Sequence, residues 1–159
     1  MITRRGADIV YGVFLCSKTF GTGTLVDIEG NDNAVNVSYN NLNTTIYKTA
    51  VAATSGFRLL YGSGDAPEST ADYKLDEPLG IMGISGTCGY GSGNYIVTGT
   101  GVNTGETAIT IKEIGMAAVL QDNQGAQAFL VARKVIPPRT VQPNETFTFS
   151  MSLDVAGGL

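Results

Sequence analysis

Residues 146–155 read Thr-Phe-Thr-Phe-Ser-Met-Ser-Leu-Asp-Val. Phe147, Phe149, Met151, Leu153 and Val155 alternate with Thr148, Ser150, Ser152 and Asp154. Strict period two over a full strand length predicts a β-strand with one apolar and one polar face. Pro143-Asn144-Glu145 precedes it as a turn, with Pro presetting φ. Before that, Phe129 to Ile136 starts apolar on both faces, as a central strand does, and Pro137-Pro138 should end it, because proline cannot donate to a ladder. Working further outward, Thr107 to Ile114 predicts a strand with a bulge or bend at Ile114-Gly115. Met116 to Leu120 should continue it up to an Asp122–Gly125 turn. Tyr95 to Val102, Leu79 to Ile84, Phe57-Leu59-Tyr61 and Val35-Val37-Tyr39 supply further strands. Asn and Gly punctuate all of these at short intervals. No window shows a convincing helical apolar period. About eight short strands at regular spacing predict an all-β antiparallel sandwich.

Residues 1–30 differ in character. They combine Arg4 and Arg5, an apolar patch from Ile9 to Leu15, and Gly21-Thr22-Gly23-Thr24. They read as an N-terminal arm or extension, ahead of a β-sandwich domain over 31–159. The apolar residues of the arm need a partner, in the same sandwich or on a neighbouring subunit.

Composition narrows the function. The 159 residues include 21 Gly but no His and no Trp, and only 15% are charged. Without His there are no Ser/His or Cys/His nucleophile pairs and no imidazole metal sites. The formal net charge of −4, with no basic cluster beyond Arg4-Arg5 and Arg133-Lys134, argues against nucleic acid as a partner. Cys16 and Cys88 lie far apart and read as separate thiols rather than a disulfide. Arg4-Arg5 starts like a twin-arginine signal, but Asp8 breaks the apolar stretch that follows, so no export signal is expected. No apolar run approaches the ~18 residues that span a bilayer, so no membrane is expected either.

The possible chemical motifs are weak. Gly21-x-Gly23 and Gly62-x-Gly64 lack the Lys and the following helix of a phosphate cradle. Asp27, Glu29, Asn31 and Asn33 alternate like a calcium loop, without its Gly or closing Glu. They read as a polar turn, and no metal or cofactor is expected. Asp76-Glu77 before Pro78 should face solvent. Glu113 interrupts an apolar strand. It is either an acid in a pocket or, the reading preferred here, a side chain that bonds backbone groups at a bulge. Tyr90 and Tyr95 flank Gly91-Ser92-Gly93, a composition suited to a contact surface as well as to an ordinary loop.

Three phrases of the sequence carry a resemblance. The first is Leu60-Tyr61-Gly62-Ser63-Gly64-Asp65, followed by Asp72-Tyr73-Lys74-Leu75 and Glu77-Pro78-Leu79. The second is Ile109-Thr110-Ile111-Lys112-Glu113-Ile114-Gly115-Met116. The third is Phe129-Leu130-Val131-Ala132-Arg133 with the closing Val141 to Thr148. Together they resemble a β-module of small virion proteins of tailed bacteriophages: head-decoration, head-fibre and tail-associated proteins. The likeness covers residues 57–155. It implies a sandwich of jelly-roll or immunoglobulin-like type that self-associates and binds the particle.

The expected function is therefore structural and not enzymatic. The chain should decorate or stabilise a phage head, made in the host cytoplasm and carried on the virion. Its partners would be the major capsid protein or other virion proteins, and further copies of itself. Arg4, Arg5, Ile9, Val10, Tyr11, Val13 and Phe14 are the candidate capsid or subunit contacts. Tyr90 and Tyr95 are candidates for an alternative role, a tail- or fibre-associated, lectin-like host-recognition module. A glycosidase would need two converging acids, and no such pair stands out.

Overall fold

The computed structural model describes residues 23–35, 57–84, 94–122 and 125–154. These hold eight strands: β1 (Gly23–Val26), β2 (Asp32–Val35), β3 (Phe57–Gly62), β4 (Pro78–Ile84), β5 (Asn94–Val102), β6 (Ile109–Asp122), β7 (Gly125–Val141) and β8 (Thr146–Asp154). All pairings are antiparallel, and no described residue is helical. The all-β expectation holds. The eight strands do not form one sandwich. Six make a single sheet in the order β7-β6-β3-β4-β5-β8, and β1 and β2 make a separate hairpin.

The sheet curls because β4 changes partner along its length. Its first part, to Met82, pairs with β3, and Gly83 and Ile84 pair with β5. That turns β5 and β8 back over β3 and β6. Tyr61 of β3 meets Phe147 of β8 edge to face, with ring centroids 5.0 Å apart. A Cβ on Gly99 of β5 would lie 3.0 Å from Cδ1 of Leu59, so only glycine allows that approach. The concave side encloses the main core, with Leu59, Met82, Val97, Ile111, Met116, Phe129, Val131, Phe147 and Met151 all buried. Each such side chain contributes about 1.5–3 kcal/mol by leaving water. The convex side carries a smaller cluster of Leu60, Leu75, Ala117, Val119, Ala128 and Leu130, with Ile28 packed against it. β3 is thus buried on both faces.

The curl brings the sheet's two edges together at one end. Gln142 to Glu145 connect edge strand β7 to edge strand β8, with Asn144 at φ 63°. Asn103, at the end of β5, ties this corner. Its Nδ2 donates to the Thr107 and Val141 carbonyls, and its Oδ1 accepts from the Gly105 N–H. Its backbone exchanges bonds with Asn144 and Glu145.

Two expectations fail here. Pro137-Pro138 do not end a strand, because β7 runs through them to Val141. β7 is an edge strand, where a missing N–H costs nothing on the open side. The register absorbs them, since Glu113 pairs with Val135 but Ile111 pairs with Arg139. Nor does the bend lie at Gly115, which pairs regularly with Leu60 and Arg133; β6 is one strand, with irregularities at Ile111/Glu113 and Met116/Ala117. Gly115 serves packing instead. A Cβ there would come 2.8 Å from Cδ2 of Leu75.

The polar turn at Asp27–Asn31 joins β1 to β2. Asp27 Oδ1 accepts from the Glu29 and Asn31 N–H groups, and Gly30 takes φ 91°. This hairpin contains the 30/31 boundary drawn between arm and body. Its Ile28 N–H bonds the Ala128 carbonyl of β7.

Candidate functional site

The densest polar cluster sits where the β3–β4 loop, residues 63–77, crosses β6 and β7. Glu113 and Arg133 are 0% and 2% exposed. The Arg133 Nε donates to Glu113 Oε2 at 2.7 Å. Glu113 also accepts the Asp76 N–H on Oε2 and the Glu77 N–H on Oε1, at 3.1 and 2.8 Å. Arg133 reaches on into the loop. Its Nη1 donates to Asp72 Oδ2 and the Pro67 carbonyl, and its Nη2 to the Ala66 carbonyl. Burial pulls the Arg133 pKa down, but the Glu113 and Asp72 carboxylates more than offset this and hold it above its usual value.

The loop approaches this closely because it carries Gly62 and Gly64 at its start. A Cβ on Gly62 would lie 2.5 Å from Glu113 Oε1 and from the Glu77 carbonyl, and one on Gly64 would lie 2.8 Å from Glu113 Oε1. Leu75, 1% exposed, then plugs the convex cluster. Gly62, Gly64, Asp72, Leu75, Glu77, Glu113, Gly115 and Arg133, all within the three sequence phrases quoted above, therefore converge on one latch.

Chemically the latch is closed. Both Glu113 oxygens are occupied by donors, and the carboxyl is out of contact with solvent. This is the backbone-bonding reading of Glu113. Asp76 and Glu77 are exposed as expected, but their own acceptors serve the loop: Asp76 Oδ2 takes the Ala66 N–H and Glu77 Oε2 the Ser63 hydroxyl. Among the described residues no three His, Cys, Asp or Glu side chains gather as metal ligands. Arg133 was legible only as one of a basic pair; its signal is a charge inside an otherwise apolar central run.

A second feature is a surface. The convex face of β4, β5 and β8 presents Leu79 and Ile81 from β4, Ile96, Thr98, Thr100 and Val102 from β5, and Thr146, Thr148, Ser150 and Ser152 from β8. Leu79, Ile81, Ile96 and Val102 are 43–53% exposed. Between them the hydroxyls pair across strands, Thr98 with Ser150 at 2.8 Å and Thr100 with Thr148 at 3.2 Å. None of these ten residues is charged.

Of the contact candidates, Arg4, Arg5, Ile9, Val10, Tyr11, Val13, Phe14 and Tyr90 lie outside the described residues, as do Cys16 and Cys88. Tyr95 lies in β5, where its backbone pairs with Leu153. The exposed aliphatics of the β4–β5–β8 face were not among the candidates. Their signal was available, since Ile96 and Val102 fall on the hydroxyl-bearing parity of their strand.

Comparisons with known protein families, curated proteins and solved structures find no match.

Proposed function

We propose that the chain is a structural protein of a tailed-bacteriophage particle, acting through protein–protein contacts as a head-decorating or head-stabilising subunit. Its body is the curled sheet, read as the core of a jelly-roll or immunoglobulin-like sandwich module. The observation that carries the proposal is the β4–β5–β8 face. Monomeric proteins scatter exposed aliphatics singly. Here four stand on one sheet face, interleaved with uncharged hydroxyls. Such a face docks on protein without desolvating a charge. The resemblance of residues 57–155 to phage virion modules names the setting. Repetition over a symmetric shell lets each copy bind with modest affinity.

The test is recovery with particles. The purified chain is mixed with heads of the encoding phage that lack it, and co-sedimentation is measured. Wild-type protein should sediment with the heads, and folded Ile81→Asp and Ile96→Asp variants should not. Binding unchanged in both variants would remove the face from the account.

A further inference from the structure

The two edges of the six-stranded sheet are treated in opposite ways. The open side of β7 is blocked along its length. The Ala128 carbonyl takes the Ile28 N–H of the β1–β2 hairpin, and the Val135 N–H donates to Glu68 Oε1 of the β3–β4 loop at 3.0 Å. Pro137 and Pro138 remove two further donors. A carboxylate, prolines and a covering hairpin are the devices by which edges are kept from pairing with other chains.

β8 shows none of them. Among the described residues it pairs with β5 alone, and Thr146 to Leu153 contain no charge, no proline and no glycine. The bond from Arg139 Nη1 to the Thr148 carbonyl, at 3.5 Å, fixes which groups look outward. In an antiparallel strand the N–H and C=O of one residue point to the same side and alternate along the chain. The outward groups therefore belong to Thr148, Ser150 and Ser152, while Phe147, Phe149 and Met151 turn theirs toward β5.

We propose that β8 pairs antiparallel with β8 of a second copy about a two-fold axis at Ser150, continuing the sheet from one subunit into the next. Ser150 then faces its own counterpart, and Thr148 faces Ser152 of the other copy. That gives about six N–H···O bonds between the strands. Self-pairing places each residue opposite itself or its symmetry mate, so a charge near the axis would oppose a like charge. The central stretch of β8 carries none. The hydroxyl ladder, Thr98–Ser150 and Thr100–Thr148, would run on across the joint, and the half-buried Phe149 of each copy would gain cover. A second copy is favoured over a foreign strand because both sides of the joint then have this same charge-free sequence, whereas the chain as a whole is acidic. The pairing does not depend on the virion reading, since it concerns the purified chain.

Sedimentation equilibrium at tens of micromolar should show a dimer. Ser150→Lys and Ser150→Glu should each sediment as monomers with unchanged far-UV circular dichroism. Mixed in equal amounts, they should re-form the dimer, because opposite charges then meet on the axis. A monomeric wild type, or a dimer that survives both substitutions, would overturn the proposal. Hydrogen exchange on the wild type needs no variant to fold. The Ser150 and Ser152 amides should be protected at high concentration and exchange faster on dilution. Exchange that is fast at every concentration would also overturn it.

Discussion

Glu113 and Arg133 form a fully buried ion pair, 2.7 Å between Oε2 and Nε, and each spends its remaining capacity on the loop that covers it. Neither side chain has solvent to fall back on. The pair fastens residues 63–77 across β6 and β7, and so shields both the convex cluster and the open side of β7.

Breaking one half of this pair should cost more than removing both. Glu113→Ala leaves Arg133 and the Asp76 and Glu77 N–H groups without their acceptor, at about 3–5 kcal/mol. That is a large share of an ordinary domain's stability. Glu113→Leu combined with Arg133→Met, apolar on both sides, should be less destabilised than either single variant. Urea denaturation of the three variants measures the difference.

The glycines of the latch can be separated from a glycine with room around it. Gly62→Ala puts a methyl 2.5 Å from a backbone carbonyl as well as from Glu113, and should destabilise by about 1–3 kcal/mol. Gly83→Ala meets nothing closer than the Thr100 carbonyl at 3.6 Å and should be neutral or slightly stabilising. Thermal unfolding of the two variants side by side distinguishes them.

Asn103 should behave as a corner post. Asn103→Ala strips the Thr107 and Val141 carbonyls of a donor and should cost about 1–3 kcal/mol. Hydrogen exchange should accelerate first at Gly105 and Asn144, whose amides bond Asn103 directly.

The surface pair Lys112–Asp65 gives the opposite expectation. The hydrogen bond and charge of Lys112 hold the Asp65 carboxyl below its usual 3.8. A depressed carboxylate stabilises the fold above its unfolded pKa and loses that contribution as pH falls through the folded value. Both partners are solvated, so Asp65→Asn should change stability only slightly at neutral pH. The difference should vanish at strongly acid pH, and also in about 1 M salt. Denaturation curves at the two pH values, with and without salt, check this.

The half-buried strands were legible in the sequence and the latch was not. β8 announces itself because one face meets the core and the other meets water, which writes period two directly into Phe147–Met151. β3 could be placed by Phe57-Leu59-Tyr61, but its buried second face could not, because Leu60 is covered by Leu75 from a loop with no periodicity. Pro137-Pro138 misled because proline marks either the end of a strand or its open edge, and only the sheet order decides between them. Glu113 was readable as a backbone acceptor at a bulge. Its partner was not, since Arg133 lies twenty residues away in the chain and comes opposite Gly115 only through the β6–β7 register. The aliphatics of the β4–β5–β8 face were hidden by the same logic in reverse: Leu79 and Ile81 look like core until β4 is seen to turn that side outward.

The central claim is that this chain works as a repeated contact subunit on a virus particle. Quantitative mass spectrometry of purified particles of the encoding phage tests it most directly. Hundreds of copies per particle are predicted, in fixed ratio to the major capsid protein. A handful would move the chain to the neck or tail, and its absence from the particle would contradict the account.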